Sequence, residues 1–347
     1  MTEDEIAMIR DAAERIFADH CERHTLAAAS QGQWPGALWD AVEGASLPLA
    51  MISEEGGGAM LSAPAALSLV GVAAYHAAPI PFAETLLAAW LLDRAGMAVP
   101  MGPLSFASIS SPALREGGAW RVAGTARRVP WGRDAQLLVL AEAGDRPRLF
   151  LPDRGDIVVE PGANLAGEPR DTLEISALVS DDRAAASPIP REALRAFGAA
   201  IRTVQIAGAV NRVTELTLRY AQDRVQFGRP LSKFQAIQQN LAVLATQAAV
   251  CAMAATMAAD ALADEAPAAI AIAKARAGEA AGVAAGIAHQ VHGAIGFTLE
   301  HDLQFFTKRL LSWRDEFGNE AEWNLYYGRL IAAAGGEGLW PAITAAA

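Results

Sequence analysis

Arg224-Val225-Gln226-Phe227-Gly228-Arg229-Pro230-Leu231-Ser232-Lys233-Phe234-Gln235-Ala236-Ile237-Gln238 sets a charged residue, an aromatic, a Gly-x-Pro break and a pair of amides between two helical runs. Arg224, near a helix end, offers a planar and permanently charged fork suited to a pyrophosphate. Phe227 offers a flat apolar surface for a ring, and Gln235 offers amide donors and acceptors. On residue types alone a second reading stands beside this one, in which Arg224 makes a surface ion pair and Phe227 joins the core.

The flanking segments repeat at helical spacing. Ile206, Val210, Val213, Thr217 and Tyr220 mark one face before the loop, and Ile237, Leu241, Leu244, Ala248 and Cys251 mark one after it. The pattern predicts a third, alanine-rich helix from about Ala266 to Val291 and a fourth from about Asp302. Between 101 and 190 the pattern changes to short β-type runs: 120–123, 137–140, 148–151 and 157–159. Turn formers such as Gly117-Gly118, Gly144-Asp145 and Pro152-Asp153-Arg154-Gly155 separate them. Residues 1–100 read as helical. Thr2 with Glu5 makes a capping-box pattern, and Ile6, Ile9, Ala13, Ile16 and Phe17 share a face. Gly56-Gly57-Gly58 has no preceding strand and no following GK[ST], so it reads as a loop and not a phosphate cradle. The predicted organisation is therefore a helical domain over 1–100, a small antiparallel β domain over 101–190 and a helical bundle over 191–347.

The composition bounds the function. A chain of 347 residues can bury a large core, and its net charge of −11 argues against a nucleic-acid binder. Mean hydropathy is only +0.20, and the alanine-rich run 280–288 is flanked by Lys274, Arg276 and Glu279, so it reads as a buried helix and not a membrane span. The N-terminal Met1-Thr2-Glu3-Asp4-Glu5 is acidic, without a basic and then apolar leader, which predicts a cytoplasmic protein. Cys21 and Cys251 lie far apart and are expected as two buried thiols.

A second motif is Gln290-Val291-His292-Gly293-Ala294-Ile295-Gly296-Phe297-Thr298, where Gly293 permits close backbone approach. His289, His292 and His301 lack a carboxylate–histidine ligand spacing, so packing or surface roles are expected and no metal site.

The string RxQFGxPLxxFQ, the second motif and the helix–β–helix order resemble the acyl-CoA dehydrogenase family over nearly the whole chain, most strongly over 202–318. The resemblance implies an α+β fold with an N-terminal helical domain, a central small antiparallel β domain and a C-terminal four-helix bundle. It implies FAD as cofactor, an acyl-CoA thioester as substrate and an electron-transferring flavoprotein as acceptor. In that family the signature loop reaches across a subunit interface to a neighbour's FAD. The implied FAD contacts fall on Arg224, Gln226, Phe227, Phe234 and Gln235, with Gln290, Gly293 and Ala294 from the second motif. Arg202 matches a family arginine near the substrate.

Three departures accompany the match. The Thr-Glu-Pro and Gly-Ser-Asp elements that cover a subunit's own flavin correspond here to Phe106-Ala107-Ser108-Ile109-Ser110-Ser111-Pro112-Ala113. The next flavin-packing segment has Arg127-Arg128-Val129-Pro130-Trp131, where Trp131 stands in only with a shift and Pro130 lacks an N–H. The glutamate that acts as base in the family precedes a glycine, and here Phe317 precedes Gly318. A one-residue slip restores Glu316 as the base; otherwise Asp315 and Glu316 are helix-end acids. Retained contacts to a neighbour's FAD with weakened contacts to its own imply a subunit of a hetero-oligomeric acyl-CoA dehydrogenase that pairs with a second, active chain. The alternatives are a self-sufficient homo-oligomer with Glu316 as base, and a non-redox scaffold of the same fold.

Overall fold

The computed structural model describes residues 2–345. The chain forms two compact units, Met1–Leu69 with Pro79–Leu194, and Val70–Ala78 with Arg195–Ala347.

The first unit opens with helices α1 (Glu3–His20), α2 (Arg23–Ser30) and α3 (Gly36–Gly44). Thr2 caps α1 with the reciprocal Glu5 contact expected of a capping box, and Ala13 and Phe17 are its buried residues. Helix α4 (Ala63–Tyr75) begins in this unit, and α5 (Phe82–Arg94) is buried on almost every side. Cys21, expected to be buried, sits half-buried just past α1, where the helix ends too near the surface to enclose it.

Strands occupy 104 to 186 and form two four-stranded sheets. One has the order β1 (Leu104–Ser108), β4 (Gln136–Ala143), β5 (Arg146–Phe150), β8 (Ala184–Ala186). The other has β2 (Leu114–Glu116), β3 (Ala119–Pro130), β7 (Arg170–Val179), β6 (Ile157–Glu160). Inward residues of both sheets, among them Val122, Val139, Phe150, Leu173 and Ile175, make one core. All ladders in these two sheets are antiparallel except β1 with β4, which run parallel with Leu104 opposite Gln136. The expected small antiparallel β domain is present, with this one parallel pair within it. After β1 the chain builds β2 and β3 in the other sheet before returning beside β1, and such a crossover is what parallel pairing requires.

The second unit contains most of α6 (Arg191–Asp223), then α7 (Gln235–Ala263), α8 (Pro267–His292), α9 (Leu303–Asp315) and α10 (Glu320–Ala345). The four expected helices are present; α10 is a fifth, interrupted at Gly335, where φ is 71°. On α8, Ala277, Ala280, Ala281, Ala284 and Ala288 are all fully buried, and α8 packs against α7, α9 and α10. Alanine at these positions lets backbones approach closely without costing helix propensity. Helix α7 is long and apolar enough to cross a membrane by length and composition, with mean hydropathy 1.8 over its most apolar window. Its residues Leu244, Cys251, Ala258 and Leu262 are buried within the unit.

Candidate functional site

Two surfaces of the second unit carry the residues singled out in the sequence. The first is built by the ends of α6 and α8. Helix α6 stops at Asp223, and Val225–Gln226 pairs antiparallel with Arg229–Pro230, joined by Phe227 and Gly228. Both joining residues have positive φ, 52° and 79°, the arrangement of a two-residue hairpin of type I′. Phe227 holds that conformation at a steric cost and is 93% exposed. A large aromatic in a strained turn with its ring in solvent is poor for an isolated chain, and it is what a contact residue for a second body requires.

Around it the chemistry is convergent. The Phe227 and Phe234 rings meet edge-on at 6.2 Å. The Arg229 guanidinium lies 4.2 Å from the centre of the Phe234 ring, a cation–π contact. Arg224, Gln226 and Gln235 are exposed, and the Gln226 amide donates to the adjacent Val225 carbonyl at 2.9 Å. Arg229 is an addition that the structure makes, since it pairs directly across the hairpin from Gln226.

At the end of α8, Gly293 adopts φ 65°, and beyond its two chain neighbours no described atom lies within 4 Å of where a Cβ would stand. The backbone there is open to a close approach and left-handed, which favours glycine. Gln290, Gly293 and Ala294 are exposed, and Gly293–Phe297 forms a short 3-10 turn. Guanidinium forks, exposed amides, an exposed ring and an open glycine are a donor set that fits the anionic and adenine-bearing half of a dinucleotide. These residues are the ones that could hold it.

The second surface is a buried cluster behind the turn between α9 and α10. Glu316 and Arg202 have side chains 6% and 1% exposed, and Arg202 Nε donates to Glu316 Oε2 at 2.6 Å. Arg202 Nη1 also donates to Gln205 Oε1 at 2.5 Å. Phe317, at φ 56°, turns inward, and a Cβ on Gly198 would stand 2.4 Å from its ring. Gly198 is therefore the notch on α6 that admits this ring. The Arg202 guanidinium lies 5.4 Å from the centre of the Phe317 ring. Lys274, fully buried on α8, donates to the carbonyls of Arg314 at 2.6 Å and Gly318 at 2.8 Å. It thus satisfies backbone acceptors on both sides of the turn. Burial lowers the Lys274 ammonium to about 8, opposed by the nearby charges of Glu316 and Glu320. The sequence reading missed Lys274 because a lysine in an alanine-rich helix reads as a solvated flank.

Glu316 and Arg202 are thus brought together with each other. The hairpin and the residue 293 turn form the exposed surface described above, and Phe317 fills the position immediately before Gly318.

In the first unit, Trp131 is 6% exposed, and its ring meets Trp34 edge-on at 6.1 Å. Its backbone N–H donates to the Pro169 carbonyl at 3.0 Å. Ring and amide are both engaged by this unit, while Ser108, Ser110 and Ser111 lie exposed. This segment does not present the flat apolar cover that an isoalloxazine needs.

Comparison with known proteins matches residues 196–320 to the family described as "Acyl-CoA dehydrogenase, C-terminal domain". The chain is 28% identical over 150 residues to acyl-CoA dehydrogenase IpdE2 of Mycolicibacterium smegmatis, covering 41% of this chain and 45% of that protein. The match therefore spans under half the length of that relative. Among solved structures, a variant of the Tcur3481-Tcur3483 steroid ACAD superposes with a TM-score of 0.86 at 25% identity, covering 95% of this chain and 98% of that one. The ChsE4-ChsE5 complex from Mycobacterium tuberculosis superposes with a TM-score of 0.85 at 21% identity, covering 96% and 98%.

Proposed function

We propose that the chain belongs with the acyl-CoA dehydrogenases, whose C-terminal domain its residues 196–320 match, and that it is a subunit of a hetero-oligomeric acyl-CoA dehydrogenase whose exposed hairpin completes a partner subunit's FAD site. The single observation that carries this reading is a contrast within one unit. The surface for the adenine side of a cofactor is presented to solvent, with Phe227 93% exposed, while the position of the base holds Phe317, and the neighbouring Glu316 is closed into an ion pair with Arg202.

The reaction in question removes a proton from Cα of an acyl-CoA thioester and a hydride from Cβ, giving the 2-enoyl thioester. FAD, when bound, supplies the hydride acceptor. A base for the Cα proton must stand within hydrogen-bond reach of it with a lone pair free. An oxygen of Glu316 is spent on Arg202, whose Nε donates to it at 2.6 Å. Arg224 and Arg229 would neutralise pyrophosphate charge, Phe227 and Phe234 would offer their faces to the adenine, and Gln226, Gln235 and Gln290 would supply directional hydrogen bonds. Ala294 adds only a methyl to that surface.

Two proteins of similar fold are named as pairs, Tcur3481-Tcur3483 and ChsE4-ChsE5, which supports a two-chain assembly. One is named a steroid ACAD, which supports a ring-bearing acyl group as substrate. An electron-transferring flavoprotein as acceptor and a cytoplasmic location belong to the same reading. The decisive experiment is the visible spectrum of the chain purified alone and after co-expression with a second family member. Colourless protein alone and about one FAD per pair of chains support the proposal; a stoichiometric yellow protein alone overturns it. In that case the second reading stands, a homo-oligomer with Glu316 as base, favoured by the burial of Glu316 one residue from the expected position.

A further inference from the structure

The cofactor surface consists of two loops far apart in sequence, and their joint geometry depends on what holds them together. Tyr220 lies in the last turn of α6, and its carbonyl accepts the N–H of Arg224 at 2.9 Å. Its ring stacks on His292, the last residue of α8, with centroids 4.4 Å apart and planes at 22°. His292 is 3% exposed. Its Nδ1 lies 2.8 Å from the Ala288 carbonyl, so Nδ1 carries the proton and donates. Nε2, left with its lone pair, is buried with no hydrogen-bond partner. The His301 ring packs edge-on to both members of the stack, 4.7 Å from His292 and 6.0 Å from Tyr220. The contact therefore sets the buried His292 ring against the half-buried Tyr220 ring, and it joins the residue before Gly293 to the turn that launches the hairpin.

We propose that Tyr220 and His292 are positioning residues whose stacked rings lock the 224–230 hairpin and the 293–298 turn at one separation, so that the two loops bind an ADP-bearing cofactor as a single surface. This rests on the reading that the surface serves a partner's FAD. A stacked aromatic pair contributes enough for a roughly fivefold to tenfold effect on a local equilibrium. Without it, each loop retains its own internal hydrogen bonds but samples separations at which a bound cofactor reaches only one of them.

The test begins with amide exchange on the chain alone, without cofactor. Tyr220→Leu is expected to raise exchange about fivefold to tenfold across 293–298, on the other loop, while Tyr220→Phe, which keeps the ring, leaves it at the wild-type level. In the co-expressed complex, Tyr220→Leu is expected to weaken FAD binding about tenfold, with Tyr220→Phe near wild type. Arg224→Ala and Gln290→Ala should be non-additive on FAD binding in the wild-type background and additive beside Tyr220→Leu. Exchange that changes only around residue 220, or equal effects of the Leu and Phe substitutions, overturns the proposal. If Arg224→Ala leaves FAD occupancy unchanged, the trans-cofactor reading fails by itself, and the exchange arm still decides whether the rings couple the loops.

Discussion

Glu316→Gln separates the two enzymatic readings most sharply, because each assigns the carboxylate a different task. In the structure it balances a guanidinium 1% exposed, at 2.6 Å, with its own side chain 6% exposed. Removing one partner of a buried ion pair costs about 3–5 kcal/mol, because the remaining charge is left uncompensated. Glutamine keeps one oxygen that can accept from Arg202, which puts the expected loss at the low end, about 3 kcal/mol. With an unfolding entropy of about 2.1 cal/mol/K per residue, a cooperative chain of 347 residues would melt about 4 °C lower. The assay is calorimetry of the wild type and variant, paired with turnover of the co-expressed complex normalised to its FAD content. Glu322→Gln is the control, since its pair with Arg195 is half exposed on both sides and such pairs contribute about 1 kcal/mol or less. The expected outcome is a lower melting temperature with turnover per FAD within about twofold of wild type. An unchanged melting temperature with turnover reduced by several orders of magnitude would refute the reasoning and make Glu316 the base.

Three further outcomes are expected. In the complex, Arg224→Ala should lower FAD occupancy at least tenfold at limiting cofactor, since it removes a charge-assisted contact to the pyrophosphate; occupancy by absorbance checks it. His292 is held down to about 4, chiefly by burial, against an unfolded value of about 6.5. The unfolded chain then binds more protons between those values, so stability is intact above pH 6.5 and falls by about 3 kcal/mol toward pH 4. His292→Phe should flatten that portion of a denaturant-unfolding profile, and an unaltered slope counts against His292 as its source. Lys274, at about 8, has the alkaline counterpart: stability should rise between pH 8 and its unfolded value of about 10.4 as the burial penalty disappears. Lys274→Met should abolish that rise and, above about pH 10.4 where the burial penalty is gone, cost about 2 kcal/mol by stripping the Arg314 and Gly318 carbonyls of a donor. Circular dichroism melts across the pH range measure both.

Helical faces were legible because burial of a helix imposes a 3.6-residue period: Ile206, Val210, Val213 and Thr217, read as one face, are all buried. The short β runs also announced themselves through their turn residues. Strand β7 did not stand out, although Leu173, Ile175, Ala177 and Val179 alternate inward, because charged and polar residues between them dilute the signal. The fifth helix was missed because its exposed face carries Leu325, Leu330 and Trp340, which obscures the amphipathic stripe.

The sequence by itself determined the fold class, the loop between two helices and the identity of the residues it carries, since these rest on local chemistry: a Gly-x-Pro break, capping and periodicity. Only the tertiary structure decided which groups are free to act. That Glu316 is spent on Arg202, that Phe317 fills the notch at Gly198, and that Tyr220 and His292 join the two loops all depend on contacts between residues distant in the chain. Pairing of that kind is governed by burial and distance, which no local pattern encodes.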